Sequence, residues 1–345
     1  MDTISIKLSI NYQKEVSVYD INYIRDYFNN IYSPYGHRYC DFLEMNNQGQ
    51  VIIKVSYPRF YYGNNAYLIK NSNDCLGVNN HLIEYLTNIE IFPYAIIRVS
   101  LIRVDIPFTY MMNSQHKFWY YENLYKIFAM VYTEKNKNSN PKMISTILDR
   151  RVETLNYADT KVIGNYNSKV MVYNQYQNLE DKLEEYQLKK VLEEFPCLTN
   201  RIRLEVSKRI SRNFFRLSEF GNYDIYGEYY PKFKKYLLNN FFDIDIIEKY
   251  YTFHSHHLAE ALKIGRTYRD FTYEVFILNN LHNIFDYEVL RRALVIAIDN
   301  PKTREGAITT VRKILKNFEN SSEIIIMEAY KYLRDIRNNI ENDMC

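Results

Sequence analysis

Three short segments hold the residues whose types and spacing promise chemistry. Arg103-Val104-Asp105 and Arg203-Leu204-Glu205 each set an arginine and a carboxylate two residues apart within an apolar alternation. Between them lies Lys169-Val170-Met171-Val172-Tyr173, a lysine and a tyrosine in a similar setting. On a strand, residues two apart share one face of the sheet, so each arginine would stand beside its own carboxylate. If the strands are neighbours, Asp105 and Glu205 converge. Two close carboxylates in a polar cleft are hard oxygen ligands, suited to Mg²⁺ or Mn²⁺. The plainer alternative is a set of solvated cross-strand charges.

Those segments need strands to carry them, and the surrounding pattern supplies them. Thr3 to Ile10 alternates apolar and polar residues with the period of a half-buried strand. Tyr19 to Tyr32 has helical spacing. Val51 to Tyr57 and Ala66 to Ile69 flank Gly63-Asn64-Asn65 and predict a hairpin. Asn80 to Asn88 predicts a short helix, Ala95 to Phe108 a strand, and Lys117 to Tyr132 an aromatic-rich helix. Lys135 to Pro141 reads as a loop. Arg151 to Asn156, Lys161 to Asn165 and Lys169 to Asn174 follow as strands, the last two joined by a turn over Gly164 to Ser168. Leu179 to Glu194 is a charged helix ending before Pro196, and Asn200 to Ser207 is another strand. After about Asp243 the pattern is helical: 246–264, 273–284, 287–298, 305–318 and 323–341. The expected fold is therefore α+β, with an antiparallel sheet backed by helices over 1–240 and an all-helical domain over 241–345.

The order of these segments resembles the rolling-circle replication initiators of small Gram-positive plasmids and, more loosely, the filamentous-phage replication endonucleases. The residues carrying the resemblance are the strand Ile102-Arg103-Val104-Asp105-Ile106-Pro107-Phe108, the run Thr160 to Gln175, the charged helix, and the strand Ile202-Arg203-Leu204-Glu205-Val206. It covers roughly residues 95 to 215 and rests on an ordered set of weak motifs. It implies a DNA strand-nicking and joining endonuclease. Asp105 and Glu205 would hold Mg²⁺ or Mn²⁺ against the scissile phosphate, and a tyrosine hydroxyl would attack, conserving the phosphodiester energy in a covalent link. Arg103 and Arg203 would steady the carboxylates or reach phosphates. Lys169 and Tyr173 would lie along the single strand, with Tyr173 stacking a base.

The chain departs from that pattern in two places. Gln175 stands where the family has a lysine two residues after the hairpin tyrosine. The window after the R-x-E glutamate where the nucleophile is expected reads Arg212-Asn213-Phe214-Phe215-Arg216-Leu217, without a tyrosine. The first candidates come later, Tyr223 and Tyr226, within a cluster in which Tyr226 and Tyr230 are four apart and would share a helix face. Loss of nicking with retention of DNA binding is the companion expectation.

Elsewhere the sequence offers less. His254-Ser255-His256-His257 lies in a helical pattern and reads as a surface cluster. With 9 Gly in the chain there is neither a Walker A loop nor a G-x-G-x-x-G, and no G-x-S-x-G elbow for a serine hydrolase. The segments 287–298 and 305–318, broken at Asp299-Asn300-Pro301-Lys302, suggest a helix-turn-helix. Arg312 and Lys316 would be its phosphate contacts, and an ordinary basic bundle face is the alternative.

Composition bounds the class. Forty-four Lys+Arg against 41 Asp+Glu give +3, which excludes a polycation while leaving room for a local basic face. Tyr 35 and Phe 19 beside 9 Gly and 8 Pro fit an AT-rich coding sequence, so a single tyrosine carries little weight. Cys40, Cys75, Cys197 and Cys345 are scattered and suggest neither zinc nor a disulfide framework. No apolar run approaches a membrane span and the first ten residues do not read as a signal peptide. The expectation is a cytoplasmic replication initiator of a plasmid, phage or related element, partnered by origin DNA and a host helicase. Two alternatives are a non-catalytic DNA-binding initiator or regulator on the same scaffold, and a purely structural protein.

Overall fold

The strand β1 (Thr3–Ile10) forms where the alternation predicts it, with Ile4, Ile6, Leu8 and Ile10 all buried on one face. Burying each such side chain favours folding by about 1.5–3 kcal/mol. In this computed structural model the described residues are 1–10, 17–87, 96–112, 122–136, 154–158, 167–321 and 328–344. β1 sits mid-sheet, antiparallel to β3 (Gln50–Ser56) on one side and β4 (Ile96–Met111) on the other. β2 (Cys40–Met45) pairs with β3. β7 (Arg201–Phe215) lies along β4, followed by β6 (Ser168–Asn174) and β5 (Thr154–Ala158). The seven strands run in the order β2-β3-β1-β4-β7-β6-β5, each neighbour antiparallel.

Two local expectations change. The partner of β3 is β2, not residues 66–69, because the turn is made earlier. The Asn46 side chain accepts from the Gln48 and Gln50 amides at 3.0 Å each, and Gly49 takes a φ of 73°. Residues 57–62 then coil into α2 (Tyr57–Tyr62), capped by the Ser56 hydroxyl and ended by Gly63 at φ 74°. The strand 169–174 pairs with 154–158. Its expected partner, 161–165, lies outside the described residues, as does most of the turn 164–168.

Helices cover both faces of the sheet. α1 (Val18–Asn29) packs along β2, and α3 (Ser72–Thr87) meets α7 (Leu217–Gly221), which contacts β4 and β7. α8 (Ile225–Phe241) lies on the same side, where Tyr230 stacks on Phe108 of β4 at 5.5 Å. The single charged helix expected over 179–194 is two: α5 (Gln175–Glu180), capped by the Asn174 side chain, and α6 (Glu185–Glu194). With a 3₁₀ turn over Pro196–Asn200 they enclose a small second core of Ala66, Leu179, Val191 and Leu198.

The chain divides into two compact units, Met1–Met111 with Lys142–Tyr236 and Met112–Pro141 with Leu237–Cys345. The helix α4 (Glu122–Asn136) thus groups with the C-terminal helices rather than with 1–240. Those helices are α9 (Ile244–Gly265), α10 (Tyr273–Asn279), α11 (Tyr287–Ala297), α12 (Pro301–Ser321) and α13 (Ala329–Glu341). At their centre is Asp286, fully buried, which caps α11 through the Glu288 amide. It also accepts from the Tyr251 hydroxyl and the Tyr330 amide, each at 2.7 Å, so one carboxylate joins α9, α11 and the start of α13. Removing it orphans the buried Tyr251 hydroxyl and two part-buried amides, the buried donor alone costing about 1–3 kcal/mol. Asp286→Ala should therefore lower unfolding free energy by about 2–3 kcal/mol in chemical denaturation, and Asp286→Asn by less.

Candidate functional site: the charged face of the sheet

Register alone brings most of the sequence-predicted residues together. Asp105 lies opposite Thr3 of β1 and Ser207 of β7; Ser207 in turn lies opposite Lys169 of β6. Glu205 faces Met171, and Arg203 faces Tyr173. Directly paired residues share a face, as do residues two apart on one strand. Arg103, Asp105, Lys169, Tyr173, Arg203 and Glu205 consequently occupy one face, on three adjoining strands. Asp105 and Glu205 are diagonal neighbours, the former opposite Ser207 and the latter opposite Pro107.

These are not solvated cross-strand charges: Arg203 is 0 % exposed, Asp105 1 % and Glu205 6 %. Asp105 accepts from Arg103 Nε at 2.7 Å and from the Thr3 hydroxyl. Glu205 accepts from the Tyr173 hydroxyl at 3.0 Å and lies 3.5 Å from Arg203 Nε. Arg203 Nη1 donates to the Asn65 carbonyl at 3.0 Å, while Nη2 sits 3.0 Å from Asp2 Oδ1 in a charge contact without good hydrogen-bond alignment. The Asn65 carbonyl also accepts from Gln175 Nε2 at 2.6 Å, and the Ala66 carbonyl from Arg201 Nη1 at 2.6 Å. The 63–66 loop is thereby pinned over the arginines.

Burial sets the protonation states. Desolvation pushes Glu205 up to about 7, helped by the charges of Asp2 and Asp105 and opposed by Arg203 and the Tyr173 hydroxyl. Desolvation also acts upward on Asp2, but Arg203 outweighs it and holds that carboxyl below its ordinary value. Tyr173 is pushed well above the usual phenol range by burial, with Arg203 opposing. Lys169 is lowered, first by burial and then by Arg103.

The donor set does not fit the expected Mg²⁺ or Mn²⁺. Both oxygens of Asp105 already accept from protein donors, and Glu205 is engaged by Tyr173. The positive charge that a cation would contribute is supplied by Arg103 and Arg203. Among the described residues no three His, Cys, Asp or Glu side chains are grouped to hold a metal ion.

The candidate nucleophiles stand elsewhere. Phe108 is three residues from Asp105 on a regular stretch of β4, so it points to the opposite face. Tyr230 stacks on Phe108, and Tyr226 stacks on Tyr230 at 5.0 Å, which sets Tyr226 across the sheet from the carboxylates. Tyr223 packs at 4.5 Å on Phe215, and its hydroxyl donates to Glu228; burial and that bond raise its pKa. The phenol that does meet a site carboxylate is Tyr173. The structural reason is that β7 runs on to Phe215, through most of the 212–217 window that follows the R-x-E glutamate, so the chain reaches Tyr223 only after crossing to the other side.

Arg312 and Lys316 lie exposed on α12, in the helical unit. Arg312 Nε donates to the Tyr287 hydroxyl at 2.7 Å with its guanidinium over that ring, tying it to α11. Sequence reasoning missed Asp2, Thr3 and Asn65, which complete the cluster. Asp2 carried no signal because it precedes the alternating run. Asn65 contributes a backbone carbonyl, which side-chain motifs do not register.

No family model, curated protein or solved structure matches the chain. Among the described residues no helix is long and apolar enough to cross a membrane.

The pH dependence of the cluster has a definite sign. A carboxyl raised in the folded state contributes stability below its ordinary pKa of 4.5 that is lost as pH rises toward 7. Asp2, held low, acts in the other window, losing its contribution as pH falls below 3.8. Stability measured by denaturation should fall between about pH 4.5 and 7, and Glu205→Gln should flatten that slope. Glu205→Ala should cost about 1–3 kcal/mol, because it orphans the buried Tyr173 hydroxyl while Arg203 keeps Asp2 and the Asn65 carbonyl.

Proposed function

We propose that the chain is a DNA-binding protein of the replication-initiator or regulator kind that uses the charged face of its sheet without nicking DNA itself. The observation that carries this reading is the sheet standing between the candidate nucleophiles Tyr223 and Tyr226 and the carboxylates, with those carboxylates neutralised by arginines. A phosphodiester laid on this face would meet Lys169 and the half-exposed Arg103 before it met either acid. Cations at a rim over an internally balanced floor suit phosphate contact, because the floor adds no net repulsion. The order of strands and motifs that resembles the rolling-circle initiators supports DNA as the partner. The α11–α12 pair, with Lys313 and Lys316 exposed, is a second phosphate-contacting surface on this reading.

Strand nicking is the second reading, and one contact favours it: the 3.0 Å bond between the Tyr173 hydroxyl and Glu205. That phenol is 4 % exposed, so attack on a phosphate would require the 63–66 loop to lift. A supercoiled plasmid carrying the cognate origin, incubated with the protein and Mg²⁺ or Mn²⁺, separates the two. The binder leaves it supercoiled while shifting it in a gel. Relaxation that disappears in Tyr173→Phe would overturn the binder in favour of the nuclease. Lys169→Gln should weaken origin binding across sequences and reduce the slope of log K against log salt by about 1.

A further inference from the structure

Beside the cluster, on the same face, a cleft of about 370 Å³ opens against β1 and β3. Its charged lining is Asp2, Asp41, Lys54, Arg59 and Lys182. The two acids are already spent. Asp2 faces Arg203 at 3.0 Å, and Asp41 is shared between Arg59 and Arg38, the latter at 2.9 Å. What remains is Lys54 and Lys182. Among the described residues neither makes an ion pair or a side-chain hydrogen bond, so the cleft carries two ammonium groups without a directly bonded counter-charge. Burial lowers Lys182, and Lys54 and Arg203 lower it further against the pull of Glu205 and Asp2, the behaviour of a cation short of a counter-charge. Asn65 lines the same space, and its side chain makes no hydrogen bond among the described residues. Leu179 and Leu183 give the opposite wall an apolar surface.

We propose that this cleft seats a phosphoryl group, with Lys54 and Lys182 as its counter-charges and Asn65 as a neutral donor. The inference deepens the DNA-binding reading, on which the choice of a nucleotide-borne phosphate rests. A phosphate fits two ammonium groups, since the charge of a monoester, about −1.5 to −2, balances theirs and a diester's single negative charge is still attracted to both. Lysine presents a point charge able to follow either a terminal or an internal phosphate. The wall is fixed in advance by the three side chains that hold the 65 and 66 carbonyls, so little ordering accompanies binding. The source is either the end of a strand or free nucleotide, or the diester of a continuous strand.

The test titrates the whole chain, at low salt, with three probes. They are a nucleoside 5′-monophosphate, a short single strand with a 5′-phosphate, and the same strand without it. Wild type should bind at least one. Lys54→Gln/Lys182→Gln should weaken that binding at least tenfold with the fold retained, since neither lysine has an ion pair or hydrogen bond within the protein to lose. Preference for the 5′-phosphorylated probes assigns the seat to a terminal phosphate; equal binding of the two strands assigns it to a diester. Failure of wild type to bind any probe at millimolar concentration, or undiminished binding by the double variant, overturns the proposal. Lys169→Gln keeps the two readings apart. Loss of duplex binding there with phosphate binding intact would leave the seat standing, whereas loss of the seat alone would leave the sheet-face reading standing.

Discussion

A guanidinium with no solvent exposure must be neutralised within the fold, and Arg203 is the point on which this sheet turns. Removing such a charge from water is costly unless it is paired and hydrogen-bonded. Its partners arrive from three parts of the chain: Asp2 before β1, the Asn65 carbonyl after α2, and Glu205 on its own strand. The consequences spread outward. Glu205, crowded by Asp2 and Asp105, tends toward its neutral form, and Tyr173 is fixed by bonding to it. The 63–66 loop is drawn down over the cluster. One buried cation thus decides the shape of the charged face and the floor of the cleft beside it.

Much of the scaffold was legible because period-2 patterning is a direct readout of a sheet with one buried side. The β1 strand matches its expected bounds, and β4 and β7 were placed by the same signal. Hairpin partners were less legible, since pairing depends on which turn closes first. Asn46 and Gly49 close theirs before the conspicuous Gly63-Asn64-Asn65 is reached, and Gly63 serves to end a helix. The helical unit was read from its 3.6 periodicity, yet its membership was not. α4 is separated from α9 by more than a hundred residues, and nothing local says that they pack together.

For the site, the R-x-D and R-x-E pairs were sound indicators of position, for the reason first given: two-residue spacing shares a face. They were poor indicators of chemistry. From the sequence an arginine beside a carboxylate reads equally as a ligand steadied for metal or as a closed ion pair, and burial decides between them. Tyr223 and Tyr226 were chosen by distance along the chain from Glu205, whereas β7 carries the chain past the site and onto the far side. The cleft lysines were invisible for a different reason. Lys54 and Lys182 have nothing unusual about their sequence neighbours; what sets them apart is that every acid near them is already claimed.

The position of β7 has a consequence for how the chain is made. β4 is complete once residue 111 has been synthesised, and β1, β2 and β3 can already form a four-stranded sheet with it. Its other edge is then a row of open backbone donors and acceptors, since the covering strand, Arg201–Phe215, is still far from the exit. Pairing of such sequence-distant strands is slow, and an uncovered edge invites annealing to another copy. The nascent protein is therefore most vulnerable to aggregation during that interval, and a chaperone acting on it would have this edge as its natural target.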